Sequence, residues 1–227
     1  MTAFRRFALF AVPEGDLYRA GASWLGWDSV NGKSLPHPRI AGLDLPIDRI
    51  TARARKYGFH GTLKPPFRLR HGTTQSDLEA ATSRLSASLA PVTLPRLDLR
   101  RMGGFLALVP SSDCPPLSAL AAAVVTGLDR YREAPGEAEL ARRRKAGLSE
   151  RQEAMLAQWG YPYVLEEFRF HLTLTGWLGA DTDRVAQSLQ AHVAPALRRP
   201  FAIDSLCLMG EDEAGHFHVH RRFALTG

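Results

Sequence analysis

Tyr57-Gly58-Phe59-His60-Gly61-Thr62-Leu63-Lys64-Pro65-Pro66-Phe67 is the stretch around which this chain is organised, because part of it returns as Arg169-Phe170-His171-Leu172-Thr173-Leu174-Thr175. Both contain His-x-Thr-Leu. Residues two apart on a β-strand point to the same face. His60 with Thr62, and His171 with Thr173, would therefore each share a face. The same parity adds Gly58 and Lys64 to the first face, and Arg169 and Thr175 to the second.

Working outward, the two motifs sit in similar surroundings. Before the first, Phe4 to Val12 reads as a strand buried on both faces. Leu17, Ala20, Trp24 and Leu25 recur at helical spacing between Asp16 and Trp27. Residues 28–48 are loop-like, with Pro36, Pro38 and Pro46, and Ile47 to Arg55 reads as a short helix. Lys56 to Leu63 is then a strand, which Pro65-Pro66 should end because proline cannot donate to a ladder; Phe67 to Arg70 would resume it. A helix follows, capped by Ser76 or Asp77 and running to Leu89. Val92 to Arg101 and Phe105 to Pro110 make a hairpin around Gly103-Gly104. Pro116 opens a helix to Arg132.

Residues 133–160 are charged, with Arg142-Arg143-Arg144-Lys145 as a basic run that suits a solvated helix face or an anion or RNA contact. Ser149-x-x-Gln152 has the form of a capping box for a helix to Trp159. After the second motif, a strand from Arg169 to Thr175, come a helix from Asp181 to Leu197 and a hairpin of Phe201–Met209 with His216–Leu225. Each half thus carries a His-x-Thr strand, a helix and a hairpin, and Met102-Gly103 in one hairpin matches Met209-Gly210 in the other. This is an internal duplication at a spacing of roughly 107–111 residues, too long for a solenoid and suited to a two-lobed, pseudo-symmetric domain. Arg-Arg-Phe-Ala-Leu also occurs twice, at 5–9 and 221–225.

The chain has 227 residues, 45% of them apolar, enough for a sizeable core, and a net charge of +6 that favours anionic ligands. Its two cysteines, Cys114 and Cys207, lie far apart, make no disulfide framework or metal motif, and fit a reducing, cytoplasmic setting. The apolar run after Arg5-Arg6 is short for a signal peptide, and no run approaches the ~20 residues of a membrane span.

Two lobes, each presenting an imidazole and a hydroxyl to the cleft between them, form a device for phosphodiester cleavage. One histidine removes a proton from the nucleophile and the other protonates the leaving oxygen. Threonine hydroxyls and nearby amides hold the non-bridging oxygens. Histidine serves both tasks because it titrates near neutrality. Lys64 and Arg169 are candidate phosphate-binding cations beside Thr62 and Thr173. No metal or other cofactor is called for: the motif histidines lie in separate halves without clustered acidic or cysteine ligands. His216, His218 and His220 alternate on one strand, where an adventitious metal is the rival to a plain exposed face.

The paired motifs resemble those of the 2H phosphoesterase superfamily, and Tyr57–Phe67 together with Phe168–Gly176 resembles its DUF1045 branch, whose members carry the label of phosphonate metabolism. The resemblance spans almost the whole chain. It implies a bilobal, pseudo-two-fold α+β fold with antiparallel sheets flanked by helices around a central cleft. It implies a single domain over 1–227, with lobes at approximately 1–132 and 133–227 between which terminal strands can exchange. It also implies an active site of His60, Thr62, His171 and Thr173, and a phosphoric diester hydrolase working without metal. The branch's association with carbon–phosphorus lyase genes suggests a phosphorylated ribose substrate such as 5-phosphoribosyl 1,2-cyclic phosphate. The competing expectations are an RNA- or nucleotide-binding protein without turnover, and an RNA 2′-5′ ligase or 2′,3′-cyclic phosphodiesterase.

Overall fold

Alternating apolar positions build one sheet, and helical stripes cover it. The computed structural model describes residues 4–40, 42–43, 45–197 and 200–227. Residues 1–3 of the N-terminal run, and 41 and 44 of the loop, lie outside these. The chain begins with β1 (Phe7–Ala11), α1 (Gly15–Leu25), a small hairpin of β2 (Trp27–Asp28) and β3 (Lys33–Ser34), and α2 (Ile47–Arg55). Next come β4 (Gly61–Phe67), α3 (Gln75–Ala87), β5 (Val92–Leu94), β6 (Leu97–Met102), β7 (Phe105–Pro110) and α4 (Pro115–Gly127). The second half holds α5 (Glu137–Arg144), α6 (Glu150–Trp159), β8 (Leu172–Thr173), α7 (Thr182–Val193), β9 (Phe201–Ile203), β10 (Ser205–Glu211) and β11 (Phe217–Ala224).

Local chemistry explains the helix ends. Gly26 closes α1 at φ +77°, with its amide on the carbonyls of Ala22 and Ser23. The Ser149/Gln152 capping box of α6 is present. The cap of α3 is Thr74 rather than Ser76 or Asp77; Asp77 instead occupies the third helical position, and its carboxylate reaches back to Thr74. Thus Asp does here what Glu or Gln usually does in that motif. α4 stops at Gly127, short of Arg132, and one 3₁₀ turn at Asp129–Tyr131 follows.

Seven strands form a sheet in the order β11-β10-β1-β4-β8-β7-β6, each neighbouring pair antiparallel. A pseudo-two-fold axis at the β4–β8 junction exchanges β4 with β8, β1 with β7, and β10 with β6. Each half of the sheet draws strands from both halves of the chain: β4 lies with the C-terminal hairpin, and β8 with the hairpin of β6 and β7. The two Arg-Arg-Phe-Ala-Leu segments fall on β1 and β11, which flank β10 from opposite sides. Two expected strands are broken at matching points, near Pro95 and Asp204, and the short pieces so released, β5 and β9, pair with each other.

The main core lies on one face of the sheet, where Leu9, Leu108, Leu172 and Leu208 meet α3, α4 and α7. A smaller cluster of Ala8, Phe10, Val12, Cys207, Met209 and Phe217, joined by Tyr18 and Tyr57, covers part of the other face. Both cysteines are free thiols. Among the described residues, no helix is long and apolar enough to cross a membrane.

β4 departs from the sequence expectation. It begins at Gly61 and runs through Pro65-Pro66 to Phe67. The prolines are tolerated because the strand bulges there: Leu9 faces Lys64 and Phe7 faces Phe67, so two steps on β1 match three on β4.

Candidate active site

Each motif histidine sits immediately before its strand, and a local turn delivers it there. α2 ends in a turn in which Gly58 adopts φ +73°, and the Gly58 carbonyl accepts a hydrogen bond from His60 Nδ1 at 2.9 Å. A Cβ at Gly58 would lie 2.7 Å from the Ser29 Cβ, so space and φ both require glycine. In the second motif a 3₁₀ turn at Leu165–Glu167 leads to Arg169, whose carbonyl accepts from His171 Nδ1 at 2.7 Å. A carbonyl can only accept, so Nδ1 carries the proton in both rings and Nε2 is the working nitrogen.

The strands then bring the motifs together. Gly61 pairs with Leu172 across the β4–β8 ladder. Continuing that antiparallel register one residue each way sets His60 opposite Thr173 and Thr62 opposite His171. The four side chains therefore form a two-by-two array on one sheet face, with the pseudo-two-fold axis through its middle. Leu172 points the other way, into the core.

The two imidazoles are not equivalent. His60 stacks on the Phe10 ring at 3.6 Å between centroids, and Tyr57 lies 6.2 Å away. Burial among these rings pushes the His60 pKa down to about 4; the bond to Gly58 opposes this, and the positive charge of His171 adds to it. His60 is therefore neutral at pH 7, with a partly exposed ring. Its Nε2 accepts from the Thr62 hydroxyl at 3.0 Å. His171 has Phe105 beside it at 5.8 Å.

The structure does not bring Lys64 to this array. Thr62 faces Phe10 while Lys64 faces Leu9, so Leu63 is an extra residue, and the bulge turns Lys64 to the opposite face of the sheet. There the ammonium is 2% exposed and donates to the Val125 carbonyl at 3.0 Å and to Asp129 at 3.1 Å. Burial lowers its pKa to about 8, with Asp129 working against the shift. Regular parity failed because a strand with a bulge does not keep it.

Arg169 uses Nη1 on the carbonyls of Glu166 at 3.0 Å and Phe168 at 2.7 Å, bracing the turn that positions His171. Thr175 lies beyond the end of β8 and is buried, and its hydroxyl accepts from the Leu106 amide at 2.9 Å. His218 and His220 are engaged by Asp212 at 2.8 Å and Glu79 at 2.7 Å. Among the described residues, no three metal-binding side chains converge. Phe10, Tyr57 and Phe105 escaped the sequence reading as site residues. Tyr57 had a signal, standing three residues before His60; Phe10 and Phe105 become neighbours only through strand pairing.

E. coli LigT, solved in complex with NADP+, matches over 100% of both chains with a TM-score of 0.50 and 14% identity, which shows a shared fold of helices and antiparallel sheet. A protein of Janthinobacterium sp. (strain Marseille), "Ribose 1,5-bisphosphate phosphokinase PhnN", is 38% identical over 218 residues, covering 92% of this chain and 48% of that protein. A protein of the same name from Laribacter hongkongensis (strain HLHK9) is 33% identical over 214 residues, covering 92% of this chain and 49% of its own length. The chain thus spans about half the length of these curated relatives. The sequence profile of the family described as "Protein of unknown function (DUF1045)" matches residues 62–218, which include Thr62, His171 and Thr173, and the chain belongs to that family.

Proposed function

We propose that the protein is a phosphodiesterase that opens a ribose cyclic phosphate by proton transfer between His60 and His171, without a metal, and that residues 1–227 act as one unit. The observation that carries this reading is the two-by-two array around Gly61 and Leu172, with both Nδ1 atoms tied back to carbonyls. His60, neutral at pH 7, takes a proton from water on Nε2 while the water oxygen attacks phosphorus. The P–O bond to the ribose oxygen breaks, and protonated His171 gives its proton to that oxygen. The hydroxyls of Thr62 and Thr173 donate to non-bridging oxygens as charge builds on them.

The relatives' name supports the substrate. It denotes a kinase of ribose 1,5-bisphosphate, borne by proteins twice as long as the matched segment. Opening 5-phosphoribosyl 1,2-cyclic phosphate by cleavage of the P–O2 bond yields that bisphosphate, so one polypeptide would make the compound and then phosphorylate it. The kinase activity itself draws no support from this chain: its Gly32-Lys33-Ser34 lies on the β2–β3 hairpin, not between a strand and a helix.

The test is a ³¹P NMR assay, with chelator present, of 5-phosphoribosyl 1,2-cyclic phosphate against 2′,3′-cyclic nucleotides. Ribose 1,5-bisphosphate is the expected product. Preference for the cyclic nucleotides would move the substrate to RNA ends. Salt-sensitive RNA binding with no hydrolysis would replace the enzymatic reading by the binding one.

A further inference from the structure

The basic run of α5 is not simply a solvated face. Arg142, Arg144 and Lys145 are exposed, but Arg143 turns inward and lays its guanidinium over the Tyr161 ring at 4.7 Å. Its Nη2 donates to Glu139 at 2.5 Å. Its Nε is buried and has no partner, one of two such side-chain atoms among the described residues, with the indole nitrogen of Trp159. A buried donor left unpaired is destabilising. A planar guanidinium anchored on an aromatic ring, with donors to spare, is suited to a phosphate.

This position adjoins the turn that delivers His171. Tyr161 and Leu165 pack on the same cluster of Val125, Met155 and Val164, and Leu165 opens the 3₁₀ turn that leads to Arg169 and His171.

We infer that Arg143, seated on Tyr161, is the anchor of a second anion subsite, which takes a phosphomonoester on the substrate away from the reacting cyclic phosphate. Glu139 holds the guanidinium in place until the monoester takes over its outer donors. Nothing at the array itself selects for a second phosphate, whereas this subsite makes the enzyme prefer a 5-phosphorylated ribose. The inference rests on the reading of His60 and His171 as the reacting centre, and it names the substrate class of that centre.

The experiment compares wild type, Arg143→Gln and Arg142→Gln, the last removing the same charge from the exposed face of the same helix. Each is assayed on ribosyl 1,2-cyclic phosphate with and without the 5-phosphate, and titrated with ribose 5-phosphate by calorimetry. Arg143→Gln should raise KM for the 5-phosphorylated substrate and Kd for ribose 5-phosphate by roughly 10–100-fold, leave the unphosphorylated substrate unchanged, and leave Arg142→Gln at wild-type values. Equal losses on both substrates, or equal losses in both variants, would overturn the subsite. If no cyclic phosphate is turned over but ribose 5-phosphate binding still depends on Arg143, the subsite stands and the catalytic reading falls. Unchanged ribose 5-phosphate affinity in Arg143→Gln removes the subsite whatever the turnover. A circular dichroism melt confirms that the variant is folded.

Discussion

Gly61 and Leu172 face each other across the ladder that joins the two halves of the sheet, and each is the middle residue of a His-x-Thr motif. The duplicated motif therefore meets itself at its own centre. Two residues with side chains absent or turned to the core hold four reactive groups in register on the other face.

That junction leaves no room for a side chain at Gly61. A Cβ there would lie 2.3 Å from the ring of Phe170, which is itself core. Gly61→Ala should cost roughly 1–3 kcal/mol through overpacking. Because the displaced strand carries His60 and Thr62, kcat should fall further than KM rises, measured well below the new melting temperature. A variant with lowered Tm and unaltered kcat would detach the junction from catalysis.

The depressed pKa of His60 has a kinetic signature. As base it must be neutral, so the acid limb of kcat/KM should fall near pH 4 rather than near the ordinary histidine value of 6.5. Stability moves in the same direction. Between pH 6.5 and 4 the unfolded chain takes up a proton at His60 that the folded chain refuses, so stability declines as pH falls through that window and is fully present above it. An acid limb at 6.5 would place the base elsewhere.

Lys64 separates a structural cation from a phosphate ligand. Lys64→Ala removes a buried ion pair but leaves Asp129 with Arg132 at 2.8 Å, so the loss should stay below the roughly 3–5 kcal/mol of an orphaned buried charge. KM should stay within about two-fold of wild type, since no substrate contact is lost. A tenfold rise in KM with unchanged Tm would return Lys64 to the site.

Much of the site was legible because repetition is visible without coordinates. The two His-x-Thr motifs pointed to the symmetry and named the array's four residues, whereas the Met-Gly match did not hold: Gly103 turns its hairpin, while Met209 and Gly210 lie inside β10, paired with Val219 and His218, and β1 rather than β11 stands where β7 does in the other half of the sheet. Parity then worked where the backbone was regular and failed at Lys64, where the Leu63 bulge depends on the register with β1 and not on local sequence. The same limit hid Phe10, which reaches His60 from a strand 50 positions earlier (60 minus 10). Pro65-Pro66 read as a stop because proline forbids a regular ladder, whereas a bulged strand accommodates it. Arg143 was visible only as part of a charged run, since nothing in Arg-Arg-Arg-Lys distinguishes the one side chain that turns inward.

The central claim is that the two imidazoles act as one device. The most direct measurement is turnover of 5-phosphoribosyl 1,2-cyclic phosphate by His60→Ala, His171→Ala and the double variant. Acid–base groups of this kind contribute about 10²–10⁴-fold each, and residues that act as a unit are not additive. Each single variant should lose turnover by that order, and the double variant little more. Wild-type turnover in either single variant would contradict the account.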